Sequence, residues 1–144
     1  MKAPHKEVLR KVVKWLNYAD EDLRLARHGL ILKTGCPYRL IAYHAQQCTE
    51  KYLKAYLVYQ GIDFPYTHNI SLLLELCAKH ANWAEKLREA EELTPYAITA
   101  RYPGEDEQVS RKETSRAIKI ASHVREVVRA EFTKNGIIFN KSSE

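Results

Sequence analysis

Residues 38–57 read YRLIAYHAQQCTEKYLKAYL, and this stretch decides the fold. On a helical wheel of about 100° per residue, seven of its apolar side chains fall within an arc of roughly 100°. They are Tyr38, Ile41, Ala45, Cys48, Tyr52, Ala55 and Tyr56. An arc of this width predicts an amphipathic helix with one buried face. The helix is predicted to span residues 38–60, because Gly61 suits the left-handed position that follows a helix end.

A mixed polar face adjoins the buried one and carries His44, Gln47 and Lys51. Glu50 and Lys54 continue around the helix with the favourable i, i+4 order, a surface pair that contributes ~0.3–0.5 kcal/mol. Two interpretations of this face stay open. It is a second contact surface, for a partner helix across a dimer or for a ligand, or its histidine is a structural hydrogen-bonding group at the core boundary.

Apolar periodicity predicts helices along most of the chain. Thr67 and Asn69 are suited to cap the third helix, Asn82 and Glu85 resemble a capping pair, and Ser110 and Glu113 form a full capping box. The predicted helices are 6–32, 38–60, about 67–79, 82–93 with a short restart at 95–101, and one from Ser110 to about 136. We therefore expect an all-α, up-down helical bundle of four to five helices, three long and two shorter, with neighbours antiparallel where links are short.

Composition agrees with a helical fold. The chain has 144 residues with only five Gly and five Pro, which leaves little irregular structure and predicts one domain, 1–144, with a core at 6–134 and a tail at 135–144. Cys36, Cys48 and Cys77 have neither metal-ligand nor disulfide-framework spacing. With no signal-peptide pattern and no apolar run near 20 residues, the expectation is a cytoplasmic protein without membrane contact, metal or cofactor.

The net charge of +5 permits nucleic-acid binding without requiring it. Lys6, Arg10 and Lys14 recur every four residues and place three cations on one side of the first helix. This stripe is either a solvated face or a face for phosphates.

Four segments in order resemble the HEPN domain family, whose name refers to higher eukaryotes, prokaryotes and nucleotide binding. They are WLNYADEDLRLARHGL at 15–30, HAQQCTEKYLKAYLVYQGI at 44–62, THNISLLLELC at 67–77 and LTPYAITARYPG at 93–104. The first resembles the family pattern A-x-x-DL-x-x-A. The similarity covers the chain from about residue 15 to about residue 128.

The resemblance implies a bundle of four or five helices that commonly forms a homodimer. Such proteins are frequently encoded beside a minimal nucleotidyltransferase, and some pairs are similar to toxin–antitoxin modules. Several branches are metal-independent ribonucleases with the signature Arg, four to six residues, then His. The pair Arg39 and His44 matches that spacing formally.

His44 would exchange a proton with an RNA hydroxyl, and Arg39 would hold the phosphate. Five residues along a straight helix, however, separate the two side chains by ~140° around its axis. A bend in the first turn or a dimer mate would have to complete the site.

Other residues compete for a ligand. Arg101 and Tyr102 stand before Pro103 as either a helix-end cap or an anion fork with an aromatic ring for a base. His68 is a capping-region residue or a second acid/base group. Gln47 and Lys51 read a base edge and a phosphate, or line a dimer seam.

Three functions follow as hypotheses. The first is a nucleotide- or RNA-binding HEPN protein that partners a nucleotidyltransferase in a toxin–antitoxin-like module. The second is a metal-independent ribonuclease that uses His44 with Arg39 or Arg101. The third is a dimeric helical adaptor without catalysis.

Overall fold

The computed structural model describes residues 6–99 and 108–137, and all regular structure within them is helical. The elements are α1 (Lys6–Gly29), α2 (Tyr38–Gln60), α3 (Ile70–Ala78), a 3-10 segment (Asn82–Leu93), α4 (Tyr96–Thr99) and α5 (Arg111–Lys134). The prediction of an all-α bundle with three long helices is confirmed. The first helix ends three residues earlier than predicted, since residues 30–32 close into turns.

Helix α2 lies at the centre of the bundle and is buried around most of its circumference. The predicted apolar face is buried from Ile41 to Tyr56, while Tyr38 at the start of the helix is only partly buried. Five polar or charged residues of the same helix are buried as well: Gln46, Gln47, Thr49, Glu50 and Lys54. The predicted buried face is therefore narrower than the observed one, because neighbouring segments also cover much of the polar side.

Helix α1 runs antiparallel to α2, as the short link between them predicts. Contacts pair the end of α1 with the start of α2 and the middle of α1 with the end of α2. A Cβ at Gly29 would meet Ile41 at 2.9 Å, whereas Trp15 packs beside Lys54. Two hydrogen bonds give the direction of α5. Thr114 near its start donates to the carbonyl of Tyr38 at the start of α2, and Arg129 near its end donates to the hydroxyl of Tyr52 in the second half of α2, so α5 runs parallel to α2.

The link from α2 to α3 was predicted to make these helices antiparallel, and this is wrong. His68 in the link lies beside Gln46, whereas Cys77 near the end of α3 lies beside Leu53. Residues 61–69 therefore return along α2 before α3 begins, so α2 and α3 run in the same direction. Gly61 starts the return in the left-handed region at φ 70°, and its amide donates back to the last turn of α2.

Two of the predicted caps are confirmed and one is wrong. The Asn69 side chain accepts from the Leu72 amide, and Ser110 with Glu113 forms the complete capping box of α5. Asn82 instead opens a 3-10 segment whose cap residue is Ala81, with no side-chain cap bond. Nonhelical dihedrals at Leu87 divide that segment, so the pattern predicted the position of the element but not its type.

Candidate functional site

A three-residue cluster joins α1 and α2 on the partly open side of the bundle. Nδ1 of His44 lies 2.8 Å from one carboxylate oxygen of Asp22, and the Lys51 ammonium lies 2.5 Å from the other. The His44 side chain is 28% exposed, Lys51 20% and Asp22 12%. Two of the sequence-predicted residues, His44 and Lys51, are thus brought together by a third that was not predicted.

This geometry leaves His44 able to act on a ligand. The carboxylate of Asp22 accepts a hydrogen bond from Nδ1–H, which fixes the ring orientation and directs Nε2 away from the bond. Within the described residues the only other hydrogen bond, ion pair or ring contact of His44 is with the Tyr43 ring, whose centroid lies 5.3 Å away. Nε2 is therefore available as a proton acceptor or donor, and Lys51 places an ammonium one heptad further along α2.

Arg39 does not join this cluster. It lies exposed in the first turn of α2, and the helix continues without interruption from Arg39 to His44. Within the described residues no hydrogen bond or ring contact joins Arg39 to His44, which is bonded to Asp22. A catalytic role for Arg39, with His44 of the same protomer or of a second one, stays a prediction.

Gln47 and His68, both predicted ligand contacts, belong to a buried hydrogen-bond network beside the cluster. Gln47 donates to Gln46, which donates in turn to Glu50 at 3.0 Å and to the carbonyl of His68. The carboxylate of Glu50 also accepts hydrogen bonds from Nδ1 of His68 and from the ammonium of Lys54, each at 2.8 Å. These bonds anchor the returning link on α2, and a ligand role for Gln47 or His68 stays a prediction.

The network keeps Glu50 ionised. Burial by itself would raise the pKa of Glu50, but hydrogen bonds from Lys54, His68 and Gln46 outweigh burial and hold the pKa below its usual value. The ammonium of Lys54 also lies within 6 Å of three ring centroids, with distances of 5.8 Å to Trp15, 5.7 Å to Phe64 and 5.9 Å to Tyr66. Cation–π attraction compensates this ammonium for lost hydration.

A second carboxylate of α1 organises the opposite side of the helix pair. Asp20 accepts a hydrogen bond from the Tyr52 hydroxyl, one from Nε of Arg125 at 2.9 Å and one from Arg129 at 3.1 Å. Burial and the Asp20 carboxylate raise the pKa of Tyr52. This cluster joins all three long helices and is well satisfied, which indicates a structural role.

A basic cleft of about 770 Å³ opens between the 3-10 segment and the first turns of α5. Its lining residues are Glu89, Arg111, Lys112, Ser115, Arg116, Lys119 and Ile120. Arg116 is paired with Glu92, and Arg111 donates to the carbonyl of Leu30. Part of the positive charge is therefore already used within the protein.

Sequence reasoning missed Asp22 and Asp20, although one signal pointed to Asp22. It is the acidic residue of the A-x-x-DL pattern, which occupies 19–23 here. Helical spacing could not have paired it with His44, since the two are 22 positions apart. Arg101 and Tyr102, two further predicted ligand residues, lie outside the described residues. Within 6–99 and 108–137, no three His, Cys, Asp or Glu side chains are arranged to hold a metal ion.

The structure defines an all-α bundle with polar clusters between its helices. Comparison with known proteins identifies the family. The HEPN domain model matches residues 12–131. A protein of Methanocaldococcus jannaschii named "Putative toxin MJ1304" is 32% identical over 132 residues, covering 80% of this chain and 84% of that protein. The crystal structure of ST0689, an archaeal HEPN homologue, superposes with a TM-score of 0.66 at 27% identity, covering 83% of this chain and 96% of that one.

The chain therefore belongs to the HEPN domain family, as its sequence pattern predicts. The match begins within α1 and ends within α5, so it includes Asp22, His44 and Lys51. None of the helices within the described residues is long and apolar enough to cross a membrane.

Proposed function

We propose that this protein is the RNA-binding HEPN component of a two-protein, toxin–antitoxin-like module. The observation that carries the proposal is the cluster in which Asp22 orients the partly exposed ring of His44 and bonds Lys51. A fixed imidazole and an ammonium side by side suit a phosphodiester, because the ammonium donates hydrogen bonds to phosphate oxygens and Nε2 does so when the ring is protonated.

The module itself is supported by family membership and by the relative whose name describes a toxin. HEPN proteins resembling this one are frequently encoded beside a minimal nucleotidyltransferase, which would be the partner. A homodimer is the commonest arrangement that the resemblance implies. A second protomer could bring its Arg39 to the His44 cluster of the first.

One specific observation favours a second function, metal-independent cleavage of RNA. Nε2 of His44 has no partner within the described residues, while Nδ1 is held by a carboxylate. This is the arrangement that lets a histidine serve as general base and then general acid. His44 would remove the proton of a ribose 2′-hydroxyl, whose oxygen attacks the adjacent phosphorus and forms a 2′,3′-cyclic phosphate. The P–O5′ bond breaks, the leaving 5′-oxygen takes the proton from His44, and Lys51 would stabilise the developing charge.

RNA binding and cleavage are tested with purified protein and labelled RNA in EDTA. The wild type is expected to bind RNA, and Lys51→Gln is expected to weaken binding more than Lys86→Gln, a matched change at an exposed lysine of the 3-10 segment. If wild-type protein shows no affinity for RNA of any sequence at low salt, the proposed function is wrong.

Cleavage is tested in the same samples by following the length of the RNA. Abolition of cleavage in His44→Gln, with RNA binding retained, supports the ribonuclease. Cleavage at wild-type rate in His44→Gln would remove His44 from the chemistry. If a minimal nucleotidyltransferase is encoded beside this protein, coexpression and copurification of the two test the module.

A further inference from the structure

A small cleft on α1 lies on the same helical face as the His44 cluster. Its volume is about 230 Å³, and it is lined by Lys11, Lys14, Trp15 and Tyr18. At ~100° per residue these four residues and Asp22 fall within an arc of roughly 100°. The cleft therefore leads along α1 directly to the carboxylate that holds His44 and Lys51.

The floor of the cleft is aromatic and held in place. Trp15 packs edge-on against Phe64, with ring centroids 6.5 Å apart, and is partly buried. Tyr18 is 51% exposed and makes no hydrogen bond or ring contact within the described residues. One fixed ring and one open ring form a surface on which a planar group can stack.

The rim of the cleft is cationic. Lys11 and Lys14 are exposed and form no ion pair within the described residues. Around them, residues 6–14 carry four basic side chains and one carboxylate, Glu7, which pairs with Arg10. The two ammonium groups are thus available for an anion, in contrast to Lys51 and Lys54, whose charges are paired.

We propose that this cleft seats one unpaired base of single-stranded RNA on Trp15 and Tyr18, with the flanking phosphates on Lys11 and Lys14. A volume of about 230 Å³ holds a single planar ring system, because sites for larger ligands run from about 300 to 1,000 Å³. Apolar walls beside two free cations match a base joined to phosphates better than the apolar face of a partner protein.

The distances along α1 make the cleft and the His44 cluster one continuous track. With a rise of ~1.5 Å per residue, Asp22 lies ~6 Å beyond Tyr18 and ~10 Å beyond Trp15. A strand whose base is held in the cleft would pass its next phosphates toward Lys51 and His44. The inference rests on the proposed function and gives it a substrate class, unpaired rather than duplex RNA.

Binding is measured by anisotropy with a labelled single-stranded oligoribonucleotide and with its blunt duplex. We expect the single strand to bind more tightly than the duplex. Tyr18→Leu and Lys14→Gln should each weaken single-strand binding fivefold or more, whereas Tyr18→Phe should retain it. Lys86→Gln, an identical charge change elsewhere, should have a smaller effect than Lys14→Gln.

A direct readout of stacking comes from tryptophan fluorescence. The chain has two Trp, so a Trp83→Phe variant reports Trp15 alone. Single-stranded RNA should quench this signal, and Tyr18→Leu should reduce the quenching at equal RNA concentration. An unchanged Trp15 signal in an RNA-saturated sample would overturn the inference.

Two further outcomes separate this inference from the function on which it rests. If Lys112→Gln with Lys119→Gln weakens binding and the α1 variants do not, RNA lies in the basic cleft of α5 and the inference fails while RNA binding stands. If Trp15 is quenched but Lys51→Gln and His44→Gln bind like wild type, the cleft stands and the proposed site fails.

Discussion

Glu50 and Lys54 form an ion pair of 2.8 Å along α2, and their side chains are only 5% and 6% exposed. The sequence predicts the same pair as a surface contact that contributes a few tenths of a kcal/mol. Burial makes the loss of this pair much more destabilising, because removing one partner leaves the other charge desolvated and costs ~3–5 kcal/mol. The pair is therefore part of what holds the returning link, through His68, against the central helix.

Acidification should weaken the fold through Glu50. Its pKa in the folded protein lies below the usual value of 4.5. The stabilisation that ionised Glu50 gives to the fold is therefore complete above that pH and is lost as the pH falls through the folded-state pKa. We expect the free energy of unfolding to drop below about pH 4.5. In Glu50→Gln this drop should be smaller, although the variant is less stable at pH 7.

The measurement is urea denaturation at several pH values between neutrality and strong acid. Glu75→Gln is a suitable control, since that carboxylate is exposed on α3. If the free energy of unfolding of Glu50→Gln falls with acid as steeply as that of wild type, the loss of stability does not come from Glu50.

Local signals along the chain were sufficient for most of the fold. Gly61 and Ser110 were placed correctly because a glycine after a helix and a capping box act within a few residues. The direction of α3 could not be found this way. It depends on Phe64 and His68, which pack back onto Lys54 and Glu50 of α2. These contacts join two different segments, so a helical wheel drawn on a single element does not show them.

Replacement of Asp20 should destabilise the bundle strongly. Its carboxylate accepts bonds from Tyr52, Arg125 and Arg129, and the acid itself is 7% exposed. Because the two arginines keep some contact with solvent, we expect Asp20→Asn to cost ~2–3 kcal/mol of unfolding free energy. Guanidinium denaturation gives this value.

Glu21→Gln, the neighbouring exposed carboxylate, is the matched control and should change stability by less than ~0.5 kcal/mol. Equal stability of Asp20→Asn and Glu21→Gln would mean that the buried carboxylate contributes no net stabilisation. Tyr52→Phe, which loses the hydrogen bond to Asp20 and the one from Arg129, should fall between them at ~1 kcal/mol.

The candidate site shows where sequence reasoning stops. His44, Gln47 and Lys51 were correctly grouped as one side of α2, but a helical wheel describes only the helix on which it is drawn. Asp22 lies on another helix and bonds His44 and Lys51, whereas Gln47 bonds Gln46 in the buried network. The match of Arg39 to His44 rests on spacing alone, and spacing does not show whether the two side chains meet at one ligand.

The three cysteines should differ sharply in reactivity. Cys48 and Cys77 are fully buried, and burial raises the pKa of both thiols, that of Cys77 to about 12. Cys36 is partly exposed in the link between α1 and α2. Since the thiolate is the reactive form, native protein should react rapidly at Cys36 alone and unfolded protein at all three.

A thiol-specific reagent with mass spectrometry after proteolysis identifies the labelled position. Cys36→Ser should abolish rapid labelling of the native protein without altering the slow phase. Rapid labelling of Cys48 would contradict the packing of α1 on α2.

Asp22→Asn tests the site most directly, because it separates charge from geometry. The substitution frees the Lys51 ammonium from its ion pair, so RNA affinity should rise a few-fold at low salt and the gain should shrink as salt is added. His44 loses the carboxylate that orients it, so any RNA cleavage should fall tenfold or more. Glu21→Gln makes the same change in net charge one residue earlier and should alter binding less and cleavage not at all. A variant that binds more tightly and cleaves more slowly would establish Asp22 as a positioning residue, whereas identical behaviour of the two variants would place RNA elsewhere on the protein.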